Sequence, residues 1–411
     1  MRPEGLPAEA VRERVEQAMA LDVGWDRVLN SICTEPHPLG VELGALAAHT
    51  NLGDPRIFRG TARIERAVVD LLLDLVAGEG GSGSLVSGGT EANLLAMLVA
   101  RQRARAAAEA AGRTLEAPEV IVGSTVHFSF DKIVAALGLV PVRVPVDELL
   151  RLPPAGVEAA VGPQTVAIVA TAGSSELGVV DPVEEIAAIA RRHDVHLHVD
   201  AATGGFIIPF ARELGRALPN FDFSVEGVSS ITIDPHKYGL VTVPAGAVLF
   251  RAGIDHASFR VPSFFVDTPV HTNTFLGTRP GSAAVATYAV LEHLGRDGFL
   301  EVTRRNYETT DHLVARLREA GYRLLLEPQL NIVVFAVPGA VEVSRRLEEA
   351  GWIVSTSTRF TDTIRVVVTR HVTPAVVDAF LPALLRAVPA PPARPAPEAS
   401  GAPRPVEEAR R

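Results

Sequence analysis

Two lysines, Lys132 and Lys237, occur in a chain whose other basic positions are all arginine. A primary amine can lose its proton and attack a carbonyl, which a guanidinium cannot. Coding bias explains the arginines equally well, so the setting of each lysine has to decide. Lys237 follows His236 in residues 230–239, SITIDPHKYG, where a β-branched run meets a proline turn. In a pocket beside cationic and aromatic groups, such an amine would have a lowered pKa and form a Schiff base readily, and His236 could meet a phosphate.

Three other segments carry compatible chemistry. Residues 196–206, HLHVDAATGGF, put Asp200 at the end of a predicted buried strand, where an unpaired carboxylate is costly. A pyridinium nitrogen would supply the cation, and the carboxylate would keep that nitrogen protonated so that the ring can take up electrons. His198, on the same strand face, could hydrogen-bond Asp200. A metal reading of His193, His196 and His198 is weaker, because no clear carboxylate or thiol set completes it. Residues 87–93, SGGTEAN, lie where a strand turns into a helix, so that N–H groups and hydroxyls can converge on a phosphate. The plainer reading is a turn with Thr90 as N-cap. The segment lacks the lysine of a P-loop and is not a GxGxxG fingerprint. His127, in VHFS after a predicted strand, could stack on a pyridine ring or be a satisfied core histidine.

These residues need a scaffold of alternating elements. Ile64, Val68, Leu71, Leu72 and Leu75 recur at helical spacing before the glycine-rich residues 78–83, and a second helix runs through residue 99. Strands are predicted at 119–123, 140–144, 165–171, 196–200, 230–233 and 246–250, with helices at 131–137 and 182–192 between them. This alternation predicts an α/β domain with a mostly parallel sheet. After Gly281 come helices to about 295 and over 301–320, then strands 332–337 and 364–368 flanking helix 341–350, a smaller α+β unit. The expected organisation is an N-terminal segment 1–60, a large domain 61–280, a small domain 281–388 and a proline- and alanine-rich disordered tail 389–411.

Bulk properties narrow the partners. With 411 residues, 47% hydrophobic content and a net charge of -9, the chain can bury a large core and has no basic stripe for nucleic acid or anionic membrane. No apolar run approaches bilayer length, and the early Glu4, Glu9, Glu13 and Glu16 are unlike a signal peptide, so a cytoplasmic location is expected. The single Cys33 excludes an internal disulfide and offers no thiolate cluster.

Taken in order, these motifs resemble the group II pyridoxal-phosphate-dependent decarboxylases of fold type I, nearest to the archaeal-type L-tyrosine/L-aspartate decarboxylase branch. The resemblance spans residues 31–373. It rests on CTEPHP at 33–38, TNLGDPRIFRGT at 50–61, SGGTEAN, HFSFDK at 127–132, ELGVVDP at 176–182, HVDAA, SITIDPHK and LGTRPG at 276–281. It implies the PLP-dependent transferase fold, with a seven-stranded, mostly parallel sheet in the large domain. It also implies that Gly89 and Thr90 hold the cofactor phosphate with His236 nearby, that His127 stacks on the ring and Ala202 packs beneath it, and that Asp200 meets the pyridine nitrogen. Lys237 would carry the cofactor and Ser174 would stand near its O3′. By the same likeness the active site is shared across a homodimer, with residues 278–281, Thr278 first, reaching the partner's cofactor. Arg365 would clamp the substrate carboxylate, and His37 and Thr203 would lie on the substrate side.

This chain departs from the family pattern at two places. Thr203 stands where an aromatic residue is common, and residues 258–275 contain no tyrosine, the usual proton donor to the α-carbon. Phe264, Phe265 and His271 occupy that stretch, and His271 is the candidate acid. The expected activity is decarboxylation of an L-amino acid. Carbon–carbon lysis or decarboxylation-dependent aldehyde synthesis are the alternatives, and a non-enzymatic scaffold is a third. The substrate side chain stays open.

Overall fold

The computed structural model describes residues 1–255 and 273–388. Seven strands form the main sheet: β1 (Ser82–Val86), β2 (Glu119–Gly123), β3 (Val140–Val144), β4 (Thr165–Thr171), β5 (His196–Asp200), β6 (Val228–Ile233) and β7 (Gly246–Phe250). Their order is β1-β7-β6-β5-β4-β2-β3. Strands β2 to β6 pair in parallel, whereas β7 runs antiparallel to both β1 and β6. The central strands read as continuous apolar runs, Val166 to Ala170 and Gly246 to Phe250, because helices cover both faces. Helix Val183–Arg192 shows how: Val183, Ile186, Ala187, Ile189 and Ala190 are buried on its inner face, with Glu184 and Glu185 in the first turn and Arg191 and Arg192 in the last. Helix Gly89–Ala110 buries Ala92, Leu95, Ala96, Val99 and Ala100, and its cluster includes Val122, Val169 and Val248 of the sheet.

The smaller sheet is antiparallel, in the order β8 (Ile332–Ala336), β10 (Thr363–Val367), β9 (Ser355–Thr356). Its own apolar cluster joins Val333, Phe335, Leu347, Trp352 and Phe380. Leu29 belongs to that cluster too: its N–H donates to the Ile353 carbonyl at 2.8 Å, and its own carbonyl accepts from the Val367 N–H at 2.7 Å. Part of the segment expected to precede both domains is therefore stitched into the small one. The two expected helices after Gly281 are one span, Gly281–Glu319, broken at Gly295 by a backbone φ of 56° that glycine tolerates.

Five α-helices were not anticipated from sequence, the short Pro154–Ala160 and Ile208–Glu213 among them. Helix Ala8–Met19 buries no residue, and Pro38–Leu46 buries only Gly40 and Gly44. Pro374–Ala387 opens with proline after Thr373, whose hydroxyl caps the Val376 N–H at 3.4 Å. Among the described residues no helix is long and apolar enough to cross a membrane, and no cluster of metal-ligating side chains occurs.

Candidate active site

The carboxyl ends of β4 and β5, the turn after β6 and the start of helix Gly89–Ala110 open onto one cavity of about 380 Å³. It brings together Gly89, Thr90, His127, Ser174, Asp200, Ala202, Thr203, His236 and Lys237, residues from five segments of the chain. Helix Gly89–Ala110 begins without a side-chain cap, so Gly88, not Thr90, occupies the N-cap position and Thr90 lies inside the first turn. The Ser87 N–H is taken by Glu91 Oε2 at 2.8 Å.

Lys237 is nearly buried, with Nζ 3.2 Å from Asp234 Oδ2. Burial pulls the ammonium down, but the Asp234 and Asp200 carboxylates outweigh it, so the amine is held above its ordinary pKa. That reverses the lowering expected from sequence: the pocket holds two carboxylates where cationic neighbours were anticipated. Asp234 is the functional residue that the sequence reading passed over. Its side chain is 1% exposed, and Oδ2 also accepts the Gly89 N–H at 3.1 Å while Oδ1 has no partner. The available signal was an acidic residue three positions before Lys237 inside a buried turn.

Asp200 accepts from Asn93 Nδ2 at 2.8 Å through Oδ2 and from the Ala202 N–H at 3.1 Å through Oδ1. His198 does not bond Asp200; its Nε2 meets Asn93 Oδ1 at 2.9 Å, which interposes the amide. Asn93 was the second omission, although it sits four residues after Gly89 on the inner face of the helix. His193 turns away to Glu158 at 2.8 Å, so the three histidines of this run do not converge on a metal. Burial lowers the pKa of His127, whose Nδ1 accepts the Ser129 N–H at 3.3 Å. A neutral, flat imidazole results. His236 is lowered by burial as well; its Nδ1 accepts the Ala245 N–H at 3.0 Å, and its Nε2 lies 3.6 Å from Asp234 Oδ2 at the cavity wall. Ser174 Oγ accepts the Val179 N–H at 3.2 Å. Nearby, Asp181 fixes the end of β4 by accepting the Thr171 N–H at 2.7 Å; burial pushes its carboxyl up to about 6.

The cavity suits an aldehyde cofactor bearing a phosphate and a basic ring nitrogen. It supplies one primary amine, a carboxylate held by two donors, a flat neutral imidazole and a helix N-terminus of 22 residues. The floor is a cradle that a side chain would fill. A Cβ at Gly88, where φ is +154°, would meet His236 Cε1 at 2.8 Å, and one at Gly89 would meet Ala202 Cβ at 3.2 Å. The chain also matches the pyridoxal-dependent decarboxylase conserved domain over residues 42–338.

The chain belongs to the pyridoxal-dependent decarboxylase family. Its cofactor is pyridoxal 5′-phosphate. A probable L-tyrosine/L-aspartate decarboxylase of Methanothermobacter thermautotrophicus is 44% identical over 84% of this chain and 93% of that protein. The L-aspartate decarboxylase of Thermococcus kodakarensis is 39% identical over 93% of this chain and 97% of that one. Among solved structures, the sphingosine-1-phosphate lyase of Burkholderia pseudomallei superposes with a TM-score of 0.85 at 27% identity, covering 94% of this chain and 92% of its own.

The remaining sequence-named residues of this decarboxylase lie elsewhere or outside the described residues. Arg365 does not line the cavity; its guanidinium donates to the Asn30 carbonyl at 3.0 Å. His37 caps helix Pro38–Leu46 by accepting the Leu39 N–H at 3.3 Å. Thr278 is exposed on the single chain, next to Arg279, which pairs with Glu65. His271, Phe264, Phe265 and the tail 389–411 lie outside the described residues. Gly88→Ala should weaken cofactor retention about tenfold or more, because strain of about 1–3 kcal/mol falls on the contact with His236. Cofactor release on dialysis measures this; unchanged retention would mean that the turn is not part of the cradle.

Proposed function

We propose that this decarboxylase acts on an L-amino acid of the kind for which its relatives are named, tyrosine or aspartate, and releases the corresponding amine and carbon dioxide. The observation that carries this reading is the Lys237 amine and the doubly held Asp200 carboxylate facing one cavity, in a chain 37–44% identical to proteins named for those substrates. Pyridoxal phosphate, when bound, supplies a conjugated ring that accepts the electron pair left by the departing carboxylate. Lys237 would offer the amine to which the cofactor attaches, and Asp200 would hold a proton on the pyridine nitrogen. His127 would provide a flat face for the ring and Ala202 a small methyl against it. Gly89, Thr90 and His236 would hold the phosphate, Ser174 would stand near the ring oxygen and Thr203 near the substrate. The Gly89 N–H must leave Asp234 to serve there.

The Cα–carboxylate bond breaks with its electrons left on Cα, and one proton is added there, so each turnover consumes one proton. His271 is the proposed donor. The protein is further proposed to be a cytoplasmic homodimer. Val11, Val15 and Met19 support the dimer, as they form an exposed apolar stripe on helix Ala8–Met19, which buries nothing in the single chain. The likeness to a sphingosine-1-phosphate lyase favours carbon–carbon lysis as the second reading.

Incubation with L-tyrosine, L-aspartate and L-glutamate, and separately with a β-hydroxylated amino acid, with amine, carbon dioxide, aldehyde and peroxide all quantified, tests both. Equal amine and carbon dioxide from tyrosine or aspartate are expected; aldehyde without carbon dioxide from the β-hydroxylated compound, with no amine from the other three, would establish the lyase instead. In His271→Gln, amine output should fall about 10²-fold, the usual worth of a positioned acid. Unchanged output would place the donor elsewhere.

A further inference from the structure

The face of β5 beneath helix Gly89–Ala110 should be apolar in a sheet covered on both sides, yet it carries His196, His198 and Asp200 at period two. Register sets His198 opposite Ser230 and Asp200 opposite Thr232 on β6, and Asn93 comes down from the helix above. All six side chains are buried, His198, Ser230 and Thr232 completely. A row of buried polar groups is tolerated only when each is satisfied.

Each one is, and in a single direction. Arg103 can only donate, and its guanidinium lies 3.2 Å from His196 Nδ1, so that nitrogen accepts. His196 then carries its proton on Nε2 and donates to Ser230 Oγ at 2.8 Å. The Ser230 hydroxyl donates to His198 Nδ1 at 2.8 Å. His198 Nε2–H donates to Asn93 Oδ1 at 2.9 Å, where the Thr232 hydroxyl also donates at 2.6 Å. Asn93 Nδ2–H ends the row on Asp200 Oδ2 at 2.8 Å. Working backwards from Asp200 gives the same assignment, since an amide that donates to the carboxylate must turn its oxygen to His198. The row needs both imidazoles neutral, and burial lowers both, His198 to about 4.

We propose that Asn93, His198, Ser230 and His196 are positioning residues for Asp200, forming a one-way relay of hydrogen-bond donors from exposed Arg103 to the carboxylate. The inference rests on the reading that Asp200 meets the cofactor's pyridine nitrogen. Donation into Oδ2 weakens the carboxylate as a base, so the shared proton stays on the pyridine nitrogen. Without the relay, Asp200 draws that proton to itself and the ring withdraws electrons less strongly. The nitrogen joining Lys237 to the cofactor then becomes more basic.

The test uses the full chain loaded with pyridoxal phosphate and follows its visible absorbance against pH. Ser230 does not line the cavity, and Ser230→Ala removes the middle donor. The absorbance midpoint should rise by about half a pH unit or more, with kcat about tenfold lower and KM within about twofold. Ser230→Thr, which restores the hydroxyl, should recover most of the shift. Arg103→Gln, at an exposed position that does not threaten folding, should move the midpoint the same way by less, and it decides the matter should Ser230→Ala fail to fold. Asp200→Asn is the control for the underlying reading. If it moves the midpoint and neither relay variant does, the relay is wrong; if it leaves the midpoint in place, Asp200 does not meet the ring nitrogen. Equal impairment in Ser230→Ala and Ser230→Thr with an unmoved midpoint would reduce Ser230 to packing and overturn the proposal.

Discussion

Lys237→Arg should abolish the visible absorbance of the bound cofactor and lower kcat by at least ~10³-fold, as loss of a covalent anchor does. The substitution keeps a cation beside Asp234, so the ion pair at 3.2 Å in the native chain retains a counterpart and the protein should fold. What it removes is an amine that can give up its proton: the guanidinium stays charged under all working conditions. The only other lysine cannot substitute. Lys132 lies exposed on helix Ser129–Leu137, its Nζ 5.2 Å from the Phe128 ring centroid, and does not line the cavity. Spectra after exhaustive dialysis, together with thermal unfolding of the cofactor-free variant, provide the check. Persistent absorbance would show that the wrong amine has been assigned.

Asp200→Asn should lower kcat by about 10²-fold and speed cofactor loss, with the fold intact. The amide is nearly isosteric, but it exchanges a charge-assisted interaction, worth about 1.5–3 kcal/mol more than none, for a neutral one. It also sets one amide against another at Asn93, whose Nδ2 now donates to a carboxylate at 2.8 Å. Steady-state rates on whichever amino acid is turned over, alongside cofactor off-rates, read out both effects. A kcat within threefold of the parent would exclude a role for this carboxylate in electron withdrawal.

The strands of the main sheet were legible because they are apolar β-branched runs whose limits are marked by glycine, proline and charge; β2, β3, β4, β5 and β7 begin and end where the sequence reading placed them. The chemistry at their ends was legible where one residue type has few other uses, as with Lys237 after His236. Asn93 and Asp234 were not, because their importance comes from contacts 107 and 145 residues away, to Asp200 and Gly89. Local pattern carries no trace of such pairs. Lys237 is held above, not below, its ordinary pKa although Asp234 stands only three positions away in sequence, because the folded turn brings its Oδ2 to 3.2 Å from Nζ and Asp200 adds a second carboxylate from another strand. Helix Ala8–Met19 escaped notice because it faces no core, and Pro374–Ala387 because Pro374 and Pro382 mask its propensity.

Strand β7 enters the sheet at the edge where β6 leaves it, so that the main chain of Gly246 packs directly against Gly88 and Asp234 behind the active site. A Cβ on Gly246 would fall 2.4 Å from the Gly88 Cα and 2.8 Å from Asp234 Oδ1. The β1–β7–β6 register therefore fixes this wall, and no side chain can be added at Gly246 without sliding a strand. For anyone reshaping this enzyme toward a larger substrate, the room has to come from Thr125, Ser175 and Thr203, whose side chains line the cavity and whose replacement leaves the strand pairing untouched.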